Sequence, residues 1–215
     1  MMFWIACLAG LALAYLLGSL PTGYLAVRVL RGIDIRDHGS GGTGATNVLR
    51  TLGAWPAAAV LLVDLLKGAA AVLVARWGYA WLCGWAGDAP AGAAGWAPWA
   101  VCAAGLAAVV GHSWPVWLRF RGGKSAASGL GVLLAMSWPV GVGAGAVFLV
   151  VTAIGRRVSL GSMLGAVAAM GLVLGLAEPL AYRLLVLAGG VYVIVRHRAN
   201  IGRLLAGTEP RLGQA

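Results

Sequence analysis

The thirty residues from 125 to 154, SAASGLGVLLAMSWPVGVGAGAVFLVVTAI, decide how this chain folds, and they carry no charge. As one helix they would be about 45 Å long at 1.5 Å per residue, against a hydrocarbon core of roughly 30 Å. Ser137, Trp138 and Pro139 interrupt them near the middle, so either one tilted helix or two short ones fits. Basic residues decide between the two. With two helices the apolar spans number seven, at about 2–27, 54–75, 94–114, 125–137, 139–154, 160–177 and 180–196. Arg28, Arg31, Arg36, Arg50, Arg119, Arg121, Lys124, Arg156, Arg157, Arg196, Arg198, Arg203 and Arg211 then share one side, and only Arg76 and Arg183 fall opposite. A single helix would turn the later basic clusters away from the earlier ones, against the lysine and arginine bias of cytoplasmic loops. The expected fold is an all-α polytopic membrane protein with seven transmembrane helices, the N-terminus outside, the C-terminus cytoplasmic, and one domain over residues 1–215.

Composition agrees. Of 215 residues 61% are apolar and 10% charged, far from the roughly 25% charged of soluble domains. The net charge of +10 would suit a nucleic-acid protein, but its clustering at the ends of apolar segments is that of a positive-inside membrane protein, so no nucleic-acid partner is expected. No basic segment precedes the first apolar run, so a cleaved signal peptide is not expected. Cys7, Cys83 and Cys102 share no redox or metal-ligand spacing and read as small hydrophobes. The Trp-rich stretch 77–98 reads as an external connector with interfacial aromatics. Asp64 and Lys67 lie inside the second span at i and i+3. They read either as a structural ion pair or as part of a polar site.

Four polar segments fall on the cytoplasmic side. The first, Asp37-His38-Gly39-Ser40-Gly41-Gly42-Thr43-Gly44-Ala45-Thr46-Asn47-Val48-Leu49-Arg50, is a glycine turn with short polar side chains that opens a helix. Such a turn aims N–H donors at an anion, and Arg50, three residues after Asn47, meets it from the same face. The second contains Gly111-His112-Ser113-Trp114-Pro115 and Phe120-Arg121-Gly122-Gly123-Lys124-Ser125. Leu118 stands where a nucleotide-binding P-loop needs its first glycine, so a triphosphate site is disfavoured and an anion-compatible turn remains. His112 has Trp117, not an aspartate, five residues on, and reads as a hydrogen-bonded structural histidine. The third segment is Arg156-Arg157-Val158-Ser159, with Ser159 placed to cap a helix. The fourth runs from His197 to Glu209, with His197, Asn200 and Arg203 on one helix face. Convergence of the four implies an anionic ligand. No carboxylate-rich cluster suggests a metal. An organic-anion transporter would hold its ligand near the bilayer midplane, and a lipid-binding scaffold would not need Ser40, Asn47, Ser159 and Asn200. An enzyme fits one polar face better than either.

From Gly18-Ser19-Leu20-Pro21 to Glu209, the order and spacing of these blocks resemble the bacterial membrane-integral acyl-phosphate:glycerol-3-phosphate acyltransferases. The resemblance implies seven helices with cytoplasmic polar loops in the bacterial inner membrane. It implies transfer of a fatty acyl group from acyl phosphate to the 1-hydroxyl of glycerol 3-phosphate, giving 1-acylglycerol 3-phosphate and phosphate, with no cofactor or metal. Ser40, Arg50, Lys124, Ser159, His197 and Asn200 are the expected catalytic residues. Gly41, Thr46, Asn47, Gly122, Gly123 and Arg203 are expected at the substrate site, with Glu209 bracing the C-terminal segment. The base is left to His197 or to a substrate phosphate, and the chain is expected to act as a monomer among membrane lipids. Gly42 replaces the family's usual Asn, and Ser125 and Ser128 its usual Gly and Thr.

Overall fold

The computed structural model describes residues 1–213, and these are helical with no strand. The helices are α1 (Met2–Ser19), α2 (Thr22–Arg31), α3 (Ala45–Leu52), α4 (Ala54–Trp85), α5 (Ala97–Ser113), α6 (Ala126–Met136), α7 (Trp138–Gly155), α8 (Val158–Gly175), α9 (Leu180–Arg196) and α10 (Arg198–Leu205). The run 125–154 is two helices. Ser137 is extended, at φ −143° and ψ 97°, and Pro139 lies in the first turn of α7, where its missing N–H has no cost. Helix α7 then folds back antiparallel along α6, with Gly141 against Leu134 and Gly145 against Leu130. A Cβ on Gly141 would stand 2.6 Å from the Leu134 Cα, so only glycine allows this approach.

Among the described residues five helical stretches are long and apolar enough to cross a membrane: Met2–Arg31, Ala54–Trp85, Ala93–Leu118, Trp138–Gly155 and Val158–Gly175. Helices α9 and α10, bent by 56°, make a sixth. Helix α6 has eleven residues, about 16 Å, and covers only half of a roughly 30 Å core. Two boundaries differ from the sequence expectation. The first span breaks at Leu20-Pro21, because proline removes an N–H and pushes the preceding residue out of the helical region. Helix α4 runs on to Trp85 rather than stopping near residue 75. Arg76 is accommodated there by donating to the Met136 carbonyl at 3.1 Å and by lying 3.4 Å from the Tyr182 hydroxyl.

Val72, Val132, Val140, Val173 and Tyr182 knit α4 and α6–α9 into one core. Val27, Ile35, Val48 and Val60 seat α2 and α3 on α4. Leu8, Leu62, Leu149 and Leu174 point outward and stay exposed, a surface suited to lipid rather than water. The packing brings α3, the turn before α6, the start of α8 and the α9–α10 corner around one cavity.

Candidate active site

Asn47 builds the first loop. It is 2% exposed, and its Oδ1 accepts from the Ser40 N–H at 3.1 Å. Its Nδ2 reaches the carbonyls of Ile35, His38 and Gly42 at 3.1, 2.9 and 2.9 Å. With its side chain fully engaged, Asn47 shapes the loop and leaves ligand contact to Ser40, Thr46 and Arg50, which line the cavity. Gly42 enters this network through its backbone carbonyl alone. Among the described residues Arg50 has no protein acceptor.

The second loop is a tight return. The Gly122 and Gly123 N–H groups donate to the Ser113 and His112 carbonyls, each at 3.1 Å. Arg196 clamps the turn from α9 by donating to the Gly123 carbonyl at 2.7 Å while lying over the Trp114 ring. Ser125, at φ +60°, occupies a left-handed conformation that glycine adopts freely. Its hydroxyl compensates through the Ser113 hydroxyl at 2.6 Å and the Val109 carbonyl at 2.9 Å, which accounts for a serine at this position.

Lys124 Nζ leaves this turn to donate to Asn200 Oδ1 at 2.5 Å. Asn200 Nδ2 donates in turn to Glu209 Oε1 at 2.7 Å, where the Ser159 hydroxyl also donates at 2.7 Å. Arg203 Nε completes the hub on Glu209 Oε2 at 2.7 Å. Glu209 thus ties α8, α10 and, through Asn200, the lysine loop together. Burial works against its charge, but the bonds from Ser159, Asn200 and Arg203 outweigh it and hold the carboxyl below its usual range. Burial, reinforced by Arg203 and opposed by Glu209, pushes Lys124 down to about 8. His197 Nδ1 lies 2.8 Å from the Val193 carbonyl. A carbonyl only accepts, so Nδ1 carries the hydrogen and the neutral ring keeps its lone pair on Nε2.

Nine of the twelve expected residues line the one cavity, of about 950 Å³: Ser40, Thr46, Asn47, Arg50, Gly123, Lys124, Ser159, His197 and Asn200. Gly41, Gly122 and Arg203 do not line it. Gly41 turns the backbone at φ +68°, Gly122 packs on the His112 and Ser113 carbonyls, and Arg203 serves Glu209. Ser159, expected to cap a helix, lies instead inside the first turn of α8, which begins at Val158; its hydroxyl is committed to Glu209 and presents lone pairs to the cavity. Asp64 and His112 also line the cavity. The signal for Asp64 was its charge inside a span; His112 lacked a nearby carboxylate in sequence. From the polar end the cavity continues as an apolar cleft past Leu106, Cys102 and Trp99 of α5, Phe148 and Ala144 of α7, and Ala169 and Ala181.

Fold and site together define a helical integral membrane protein with anion-ready loops at the head of an apolar cleft. The chain belongs to the glycerol-3-phosphate acyltransferase family, whose pattern matches residues 8–207. It is 64% identical over 217 residues to glycerol-3-phosphate acyltransferase 2 of Rhizobium johnstonii, covering 100% of this chain and 99% of that protein. It is 52% identical over 218 residues to the glycerol-3-phosphate acyltransferase of Nostoc sp., covering 99% and 95%. The crystal structure of PlsY, an integral membrane glycerol 3-phosphate acyltransferase, in its glycerol 3-phosphate form superposes with a TM-score of 0.82 at 35% identity over 96% of each chain. The lysophosphatidic acid form of the same enzyme gives 0.79 at 35% identity, covering 97% and 96%.

Proposed function

We propose that this chain transfers a fatty acyl group from acyl phosphate to the 1-hydroxyl of glycerol 3-phosphate, giving 1-acylglycerol 3-phosphate and inorganic phosphate. The observation that carries this reading is the continuity of the cavity. Arg50 and Lys124 stand at one end, and the apolar cleft follows α5 from His112 to Trp99, about 20 Å at 1.5 Å per residue. The polar end suits phosphate groups, and the cleft suits an acyl tail.

The chemistry is a direct displacement. The substrate hydroxyl oxygen forms a bond to the acyl carbon, the bond from that carbon to the phosphate oxygen breaks, and the hydroxyl proton finishes on the departing phosphate. Arg50 and Lys124 neutralise phosphate oxygens, and Ser40 donates toward the developing oxyanion. His197 Nε2 accepts from the attacking 1-hydroxyl of glycerol 3-phosphate and aims it, and the Ser159 lone pairs accept from the neighbouring 2-hydroxyl. Phosphate is already a good leaving group, so orientation, able to remove about 7 to 11 kcal/mol of barrier, supplies much of the acceleration.

The donor separates this reading from other acyl transfers. Purified protein with a chelator present is expected to acylate glycerol 3-phosphate from acyl phosphate without coenzyme A or ATP. Equal or faster turnover with acyl-coenzyme A, or loss of activity on chelation that added metal restores, would count against it.

Lys124 predicts a pH dependence. It binds an anion as a cation, so affinity for glycerol 3-phosphate should be level from pH 7 to about 8 and then fall by about tenfold per pH unit, the slope for losing one proton. Titration calorimetry at several pH values reads this directly, and Lys124→Arg should move the fall to much higher pH. A fall that begins at the same pH in Lys124→Arg would assign it to another group.

The α6–α7 hairpin supports seven membrane passages, with α6 as a half-length one. The basic residues then support a cytoplasmic active site in the bacterial inner membrane. Single cysteines in the loops at Ser40, Arg121, Arg157 and Asp88, in a background without the native three, should label from outside intact cells only at Asp88. External labelling at Arg157 would require an even number of passages.

A further inference from the structure

Asp64 and His112 border the cavity but have no part in the reaction described so far. Asp64 is 1% exposed, and its Oδ1 accepts from the Thr22 hydroxyl at 2.6 Å and from Lys67 Nζ at 2.8 Å. Lys67 also donates to the Leu20 carbonyl at 2.7 Å. The pair therefore grips both sides of the Leu20-Pro21 break, from which α2 departs. The Ser40 loop rides on α2, because the Thr43 carbonyl rests directly on Gly23. The same Oδ1 lies 3.6 Å from His112 Nδ1, which is 2.9 Å from the Ser128 hydroxyl. His112 supports the second loop twice. Its carbonyl accepts the Gly123 N–H at 3.1 Å, and its ring edge at Nε2 presses on Gly123 so closely that a Cβ there would collide with it.

A buried ion pair is by itself a weak source of stability, and apolar residues of similar size commonly pack as well. What an apolar pair lacks is simultaneous polar contact with the root of one substrate loop and the support of the other. We infer that Asp64 and His112 are positioning residues that hold the Gly122-Gly123-Lys124 turn in register with the Ser40–Arg50 loop, so that Lys124 and Arg50 face the same ligand. The inference rests on the acyltransferase reading of the cavity and deepens it. The carboxylate that His112 lacks in its own sequence neighbourhood is supplied by α4.

Steady-state kinetics on purified, lipid-reconstituted protein with acyl phosphate and glycerol 3-phosphate test it. His112→Ala should raise the glycerol 3-phosphate KM by about tenfold, the size of one lost loop contact, with a smaller change in kcat and little change in melting temperature. His112→Gln, which can still bond Ser128, should recover part of the loss. Asp64→Asn alone strands Lys67 in the bilayer, so the charge is removed as the pair Asp64→Asn, Lys67→Met. That pair should raise the same KM, and adding His112→Ala to it should change KM by no more than about twofold, as expected of groups acting through one contact. Multiplying KM effects, or an unchanged KM in His112→Ala beside a lowered melting temperature, would overturn the inference. Wild-type protein unable to acylate glycerol 3-phosphate would overturn the functional reading instead, whatever the variants do.

Discussion

Replacing Lys124 with alanine is expected to lower kcat/KM by about 100-fold or more while leaving a folded protein. A charge-assisted hydrogen bond to phosphate contributes about 1.5 to 3 kcal/mol, or roughly 10- to 150-fold. The substitution also strips Asn200 Oδ1 of its donor, so the amide that faces the reacting groups loses its fixed orientation. Arg50→Ala should cost a similar factor through its phosphate contact alone, because Arg50 has no protein acceptor to disappoint among the described residues. Lys124→Ala should therefore be the more damaging of the two. Arg183→Ala is the control: its guanidinium lies 3.4 Å from the Leu176 carbonyl, away from the cavity, and turnover should stay near wild type. Wild-type-like turnover in both site variants would remove the anion site from the mechanism.

The second large effect is expected at Glu209. Glu209→Ala removes the acceptor for Ser159, Asn200 and Arg203 at once, and the two buried donors, Ser159 and Asn200, cost about 1 to 3 kcal/mol each when left without partners. Activity should fall by more than about 100-fold, because the Asn200–Lys124 bond loses its backing. The melting temperature should drop by about 4 to 24 °C, from about 2 to 6 kcal/mol at roughly 2 to 4 °C per kcal/mol for a chain of this size. Glu209→Gln keeps an oxygen for Ser159 and Asn200 and turns an amide toward Arg203, so it should do only what Arg203→Ala does. Arg203→Ala proving much worse than Glu209→Gln would mean that Arg203 touches substrate. Calorimetry and kinetics on the three variants decide the point.

Much of this arrangement was legible in the sequence for reasons that are local or topological. Ser137 and Pro139 mark the break in the run 125–154, and the charge bias predicts how the helices pair. Once the helices pair, the four polar segments have one end of the bundle in common, which is why nine expected residues meet in one cavity. The division of labour within the site was not legible. Asn47 and Ser159 are both short polar groups beside a helix, and only three-dimensional contact reveals that one is consumed by its own loop and the other by Glu209. Asp64 and His112 are 48 positions apart in the chain, and no spacing rule joins a carboxylate on α4 to an imidazole at the end of α5. The length of α6, by contrast, was legible, since the expected span 125–137 departs from Ala126–Met136 by one residue at each end.

That short helix has a physical consequence. On the seven-passage reading proposed above, a full-length helix would begin near the headgroups, whereas one of eleven residues would set Lys124 and the turn before it beneath them. On the proposed reaction, a hydrophilic reactant must sink out of the aqueous phase to meet a partner that arrives sideways from the oily one. The rendezvous takes place where water, the most abundant competing nucleophile in the cell, is scarce. The anhydride is then spent on glycerol rather than on hydrolysis, and the greasy product leaves through the phase that delivered its tail.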